Sequence, residues 1–234
     1  MKNFGSKPEW LTFDCYGTLI QWDEGLVAAV QGILIRSGAG DVSCDQVIRL
    51  YDRKEHELES QRPHLPFREV SRRALEFAMT DLGLRYAATD IENLTRAISS
   101  MPPFPEVPSA LSQLKRMGFK LCIISNTDDD IIAGNVTQLG GHIDRVITAQ
   151  QAQAYKPTAP IFQHAYGALG VTRNDVIHIC ASPVLDLQAA RDIGFRCIWV
   201  DRGAGRAPLS DYTPDAILTK LDRVPVLFKQ LGWS

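Results

Sequence analysis

Apolar residues follow two rhythms along this chain. Five short runs, WLTF (10–13), FKLCIISN (119–126), RVITA (145–149), DVIHICA (175–181) and FRCIWVD (195–201), are almost continuously apolar or β-branched. Runs of this length between polar turns read as strands buried on both faces. Between the later runs lie amphipathic stretches ending at Gly118, Gly140, Gly170 and Gly194, and a glycine there is the expected helix C-terminal cap. Strands alternating with helices predict an α/β fold, a doubly wound, Rossmann-like parallel sheet covered on both faces. Residues 22–100 break the alternation. Four amphipathic pieces, starting at Gly25, Cys44, Phe67 and Asp90, all carry the helical period. The expected organisation is a core of residues 1–21 and 101–234 with a helical cap inserted as residues 22–100. No internal repeat or low-complexity tract is evident.

A length of 234 residues suits one large domain or a core with an insertion, and 45 % hydrophobic residues suffice for a sizeable interior. A formal charge of −2 argues against nucleic acid or an anionic membrane as the main partner. No run reaches the roughly 20 apolar residues that span a bilayer. The N-terminal MKNFGSKPEW lacks the apolar stretch of a secretion signal, so a cytoplasmic location is expected. Five cysteines without CxxC spacing read as reduced, mostly buried thiols. Cys15 is either a nucleophile or a packing residue.

Open parallel sheets bind ligands beyond the carboxyl ends of their strands. The residues there are Asp14, then Ser125 and Asn126, then Lys156, then Ser182 to Asp186. A carboxylate, hydroxyls, an amide and an ammonium therefore converge from four strand ends. Each also has a plain structural reading: Asp14 a loop cap, Ser125, Asn126 and Asp186 helix caps, Lys156 a solvated lysine. Asp128 to Asp130 suit capping of the following helix better than a metal site.

The segments FDCYGTL, IISNTDD, AYKPTAPIF and HICASPVLD resemble, in order and spacing, the four motifs of the haloacid dehalogenase superfamily. Asp-x-Tyr-Gly-Thr-Leu is similar to the 2-haloacid dehalogenases, whereas phosphatases of the superfamily usually carry Asp-x-Asp. The resemblance implies that Asp14 is a nucleophile forming an ester with substrate carbon. Thr18 would hold its carboxylate, and Lys156 would pair with Asp14 and Asp186. Ser125 and Asn126 would bind a substrate carboxylate, with Tyr16 and Trp22 as further pocket residues. A phosphatase needs an acid to protonate its leaving alkoxide, and a tyrosine with a pKa near ~10 serves poorly at neutral pH. Halide leaves without a proton. The fourth motif begins Ala181-Ser182 where Gly-Asp is usual, and a serine hydroxyl is a weak ligand for Mg²⁺. No metal and no cofactor are therefore expected.

Four positions depart from the dehalogenase pattern. The cap arginine that receives halide falls on Asp52, with Arg53 and Arg68 as substitutes, both equally readable as solvated helix charges. Phe162 replaces a tyrosine, Ala181 a serine and Pro183 an asparagine. His178 reads as structural. The resemblance thus implies a metal-independent hydrolase that displaces halide from a short 2-haloalkanoic acid and gives the 2-hydroxy acid. The alternatives are the same Asp14 chemistry on another small carboxylate with a different leaving group or a strained ring, a Mg²⁺-dependent small-molecule phosphatase, and a non-catalytic binding protein. The expected partner is a small carboxylate, with a homodimer left open. Removing Lys156 is expected to harm the site and spare folding stability.

Overall fold

The computed structural model describes residues 4–233. Six strands, β1 (Trp10–Phe13), β2 (Lys120–Ser125), β3 (Arg145–Thr148), β4 (Val176–Cys180), β5 (Arg196–Val200) and β6 (Ala216–Leu218), form one sheet in the order β3-β2-β1-β4-β5-β6. Every neighbouring pair is parallel. All four β1 residues are buried, which is why WLTF shows no polar alternation. Removing a core side chain such as Leu11 would cost on the order of 2–5 kcal/mol.

Chain order along the sheet reverses at β1, which pairs with β2 on one side and β4 on the other. That reversal opens a crevice at the carboxyl end of β1, where Asp14 stands. The helices α5 (Val107–Arg116), α6 (Asp129–Thr137), α8 (Ala159–Leu169) and α9 (Gln188–Ile193) connect the strands, with a short α7 (Ala149–Ala152) after β3. The four glycines that end the helical stretches all have positive φ, from 68° at Gly170 to 83° at Gly118. Strand β6 and the last helix, α10 (Arg223–Gln230), are not marked in the sequence: the three residues of β6 are too few to carry a legible period.

Between β1 and α5 the chain forms α1 (Trp22–Arg36), α2 (Cys44–Glu59), α3 (Phe67–Asp81) and α4 (Ala88–Ser100). Helix α2 packs on α3, and α1 on α4. Helix α4 also lies against α6, closely enough that a Cβ on Gly134 would collide with Ser99 O. Asp128, at the end of the β2 loop, accepts the Phe67 and Arg68 backbone N–H groups at 2.9 Å each. A core carboxylate thus caps the first turn of α3 and complements its dipole. Its neighbours are also engaged away from their own helix, Asp129 with Thr148 and Gln151, and Asp130 with Arg68.

Candidate active site

The chain turns sharply after β1. Gly17 adopts φ 79°, a conformation costly for side-chain-bearing residues, and the loop folds back through hydrogen bonds from Leu19 and Ile20 N to Cys15 O. This turn brings Thr18 under Asp14. Thr18 Oγ1 donates to Asp14 Oδ2 at 2.6 Å and itself accepts the Ala181 N–H at 2.8 Å. The backbone after β4 therefore fixes the hydroxyl that fixes the carboxylate. Asp14 is 5 % exposed, and its other oxygen meets Lys156 Nζ at 2.8 Å.

Lys156 also donates to Asp186 Oδ1 at 2.8 Å, and its side chain is fully enclosed. His178 continues the chain, with Nε2 3.0 Å from the same Asp186 oxygen and Nδ1 2.9 Å from Thr12 Oγ1. A buried line thus runs Thr12–His178–Asp186–Lys156–Asp14. His178 is a strand residue, yet it belongs to this line, a role the sequence did not disclose. Burial alone would lower the Lys156 pKa, but two adjacent carboxylates hold it above its ordinary value. Burial opposes ionisation of Asp186, which Lys156 and His178 nevertheless draw below its usual range. Asp14 has only a share in the ammonium and faces Asp186 as well. Burial leaves it raised, with Lys156 and Thr18 pulling the other way.

Asp14, Tyr16, Trp22, Ser125 and Asn126 share a cavity of about 300 Å³ with Ser182 and Pro183, with Asp52, Glu55 and Glu59 of α2, and with Phe67 of α3. Tyr16 packs against Trp22 at 5.2 Å between ring centroids and donates its hydroxyl to Asn135 Oδ1. Ser125 Oγ is buried without a protein partner. Asn126 is committed to the protein: its amide nitrogen donates to Glu59 Oε2 and Lys156 O, and its oxygen accepts the Lys156 N–H. Ser182 Oγ accepts the Leu185 N–H and caps the turn that carries Asp186. Burial pushes the Cys15 thiol well up, so Cys15 is a packing residue and no thiolate.

Two expected residues lie elsewhere. Arg53 is exposed over the Phe77 ring, and Arg68 is exposed in an ion pair with Asp130. Neither lines the cavity, because both project from helix faces turned to solvent. The arginine that does line it is Arg206, from the loop between β5 and β6, bound through Nη2 to both oxygens of Asp23. No motif marks that loop. Asp52, Glu55 and Glu59 are three and four residues apart, so they share one helix face; the spacing was visible, but charges in such a run ordinarily face solvent.

Mg²⁺ fits these residues poorly. The hard-ligand set would need Asp14 plus an acid at the fourth motif, where Ser182 stands, while an ammonium already bridges Asp14 and Asp186. His178, Cys180 and Asp186 bring ligand atoms within 4.8 Å of one another, but the Lys156 charge on Asp186 repels a cation there. Among the described residues no helix is long and apolar enough to cross a membrane.

Residues 11–200 match the family model for haloacid dehalogenase-like hydrolases. The chain is 30 % identical to the (S)-2-haloacid dehalogenase of Pseudomonas sp. (strain YL) over 225 residues, 94 % of each chain. It is 27 % identical to haloacetate dehalogenase H-2 of Moraxella sp. (strain B), covering 93 % of this chain and 96 % of that one. The L-2-haloacid dehalogenase of Xanthobacter autotrophicus shares the fold, with a TM-score of 0.81 and 21 % identity over 95 % of this chain and 99 % of that one. With its parallel sheet, its four motifs in order and a family match spanning most of its length, the chain belongs to the haloacid dehalogenase-like hydrolases.

Proposed function

We propose that this hydrolase uses Asp14, without a metal, to displace halide from a short 2-haloalkanoic acid. A covalent Asp14 ester forms and is then hydrolysed to the 2-hydroxy acid. The observation that carries this reading is Asp14 held at one oxygen each by Lys156 and Thr18, with Tyr16 and Ser182, and no second acid, at the positions where a phosphatase puts its proton donor and its metal ligand. The names of the relatives favour a 2-halo acid as substrate.

In the first step an Asp14 oxygen forms the bond to carbon, and the carbon–halogen pair leaves with the halide. Lys156 and Thr18 each hold one oxygen of the nucleophile, so its aim is set before substrate arrives. Ser125 Oγ, buried and unpartnered, is the hydroxyl free to receive the substrate carboxylate, while Asn126 shapes the wall. In the second step water adds to the Asp14 carboxyl carbon, returning the aspartate with one oxygen exchanged. Ala181 and Pro183 offer no side-chain polar group to that water.

The test is turnover of short 2-halo acids and phosphate esters, each with EDTA and with Mg²⁺, followed by a single turnover in ¹⁸O-water. Halide release unaffected by EDTA, with label entering Asp14 before product, is the expected result. Label passing directly into product refutes the ester, and EDTA-sensitive phosphate release favours the phosphatase reading.

A further inference from the structure

A halide departing from carbon needs a partner on the side away from Asp14. Among the described residues, the basic side chains lining the cavity are Arg206 and His56. Arg206 has its charge paired by Asp23, whose two oxygens share its Nη2, and His56 Nδ1 lies 2.6 Å from Asp52 O. The cap instead presents carboxyls from one face of α2: Asp52, Glu55 and Glu59. Glu59 is engaged by Asn126. Glu55 is 8 % exposed, borders the cavity, and its Oε1 has no hydrogen-bond partner in the protein. A buried carboxylate with an unmet oxygen is costly, whereas a protonated carboxyl in the same place has an O–H to offer.

Resting on the Asp14 reading, we propose that Glu55 is a catalytic residue whose carboxyl O–H hydrogen-bonds the halogen as it leaves. The substrates it favours are those whose leaving group is a strong hydrogen-bond acceptor, fluoride before chloride and bromide. The Asp14 oxygen–carbon bond forms as the carbon–halogen bond breaks, the electron pair goes with the halide, and the proton stays on Glu55. Glu55 is unchanged at the end of the step.

The surroundings keep that proton in place. Burial and the neighbouring Asp52 charge push Glu55 up to about 8. On its own helix it faces Glu59 and Tyr51; the Tyr51 hydroxyl, which donates to Ser71 of α3, also pulls Glu55 down, but less than burial and Asp52 push it up. From the core, Tyr155 and Lys156 act on the same group of carboxyls, and Asp23 and Arg206 act on Asp52. Asp52 is raised less, to about 6, and so carries its charge at neutral pH.

The experiment measures kcat against pH with fluoroacetate and chloroacetate for the wild type, Glu55→Gln, Glu55→Ala and Asp52→Asn, with the exposed Glu57→Gln as control. Wild-type turnover should fall as pH rises through about 8. Glu55→Gln keeps a donor and cannot titrate, so its alkaline limb should vanish. Asp52→Asn removes the like charge, so the limb should move to lower pH. Glu57→Gln should match the wild type. Glu55→Ala should lose on the order of 10²-fold in turnover, the scale for deleting one transition-state donor, with the larger loss on fluoroacetate. An alkaline limb that persists in Glu55→Gln, or an unchanged fluoride-to-chloride ratio in Glu55→Ala, overturns the proposal. If Glu55→Gln does not fold, an unmoved limb in Asp52→Asn does the same. The ¹⁸O experiment separates the two failures: label in Asp14 with indifferent Glu55 variants sinks Glu55 alone, and no label in Asp14 sinks the nucleophile.

Discussion

Lys156 Nζ lies 2.8 Å from Asp14 Oδ1 at the end of a side chain with no exposed surface. Its second bond reaches Asp186, so a single ammonium separates two buried carboxylates. Lys156→Ala should lower the chemical step by at least ~10²-fold, a little under ~3 kcal/mol of barrier. As a side chain that serves the site and not the core, Lys156 reads from sequence alone as nearly neutral for folding. Its burial alters that expectation: alanine leaves two uncompensated charges facing each other, and breaking a buried pair costs about 3–5 kcal/mol. Single-turnover rates and melting temperatures measured together check both effects. Lost counter-charge also raises Asp14, so activity should fail at a higher pH on the acid side. Lys156→Arg should restore little, since a planar fork does not replace a compact ammonium.

His178 offers a test of positioning without contact to substrate. Its ring lies between Phe162 and Phe195, each 5.6 Å away between centroids, so phenylalanine fits the space. His178→Phe removes a donor from Asp186 and strands the Thr12 hydroxyl, a burial penalty of about 1–3 kcal/mol. Adding Thr12→Val should recover stability. kcat should stay roughly 10-fold down in both variants with KM unchanged, the size of one poorly held pair in a charged line. Recovery of kcat along with stability would make His178 a packing residue.

The strand ends were legible because fully buried strands must be apolar throughout and then stop at a polar residue. Asp14, Ser125, Lys156 and Asp186 could be found that way. Their mutual distances could not, since 142 residues separate Asp14 from Lys156. The side of the cavity formed by α2 and α3 was harder. Arg53 and Arg68 were plausible by residue type, but only the packing of α2 on α3 decides which face of each helix looks inward. Glu55 and Glu59 were hidden by their surroundings, because RKEHELES reads as a solvated run. Arg206 reaches the cavity from an irregular loop that no periodicity describes.

Asp128 joins the two halves of the cavity by capping α3 from the β2 loop. Asp128→Ala should cost about 1 kcal/mol as a lost helix cap. It should also raise KM, because Phe67, at the start of α3, lines the cavity. Asp128→Asn keeps an acceptor and should retain most of both properties. Thermal melts and substrate saturation curves decide it, and an alanine variant with unchanged KM would show that the cap is held by other contacts.

The acidic row on α2 should leave its mark on stability as well as on turnover. Burial and the Asp52 charge push Glu55 up to about 8 in the folded protein, against an ordinary 4.5. Between those values the folded state holds a proton that the unfolded chain releases, so stability falls as pH rises. The contribution is fully present below about 4.5 and is lost by the time pH passes about 8. Asp52, raised to about 6 from 3.8, acts in the same direction over a lower window. Paired carboxylates elsewhere work oppositely: Glu106, drawn down by Arg202 although burial opposes it, is stabilising above its ordinary value and loses that contribution in acid. Chemical denaturation of the wild type and Glu55→Gln at pH 5, 7 and 9 separates these effects. The variant should match the wild type at pH 5 and exceed it increasingly at pH 7 and 9. Equal stability at all three would mean that Glu55 meets water in the folded protein and holds no proton for a leaving group.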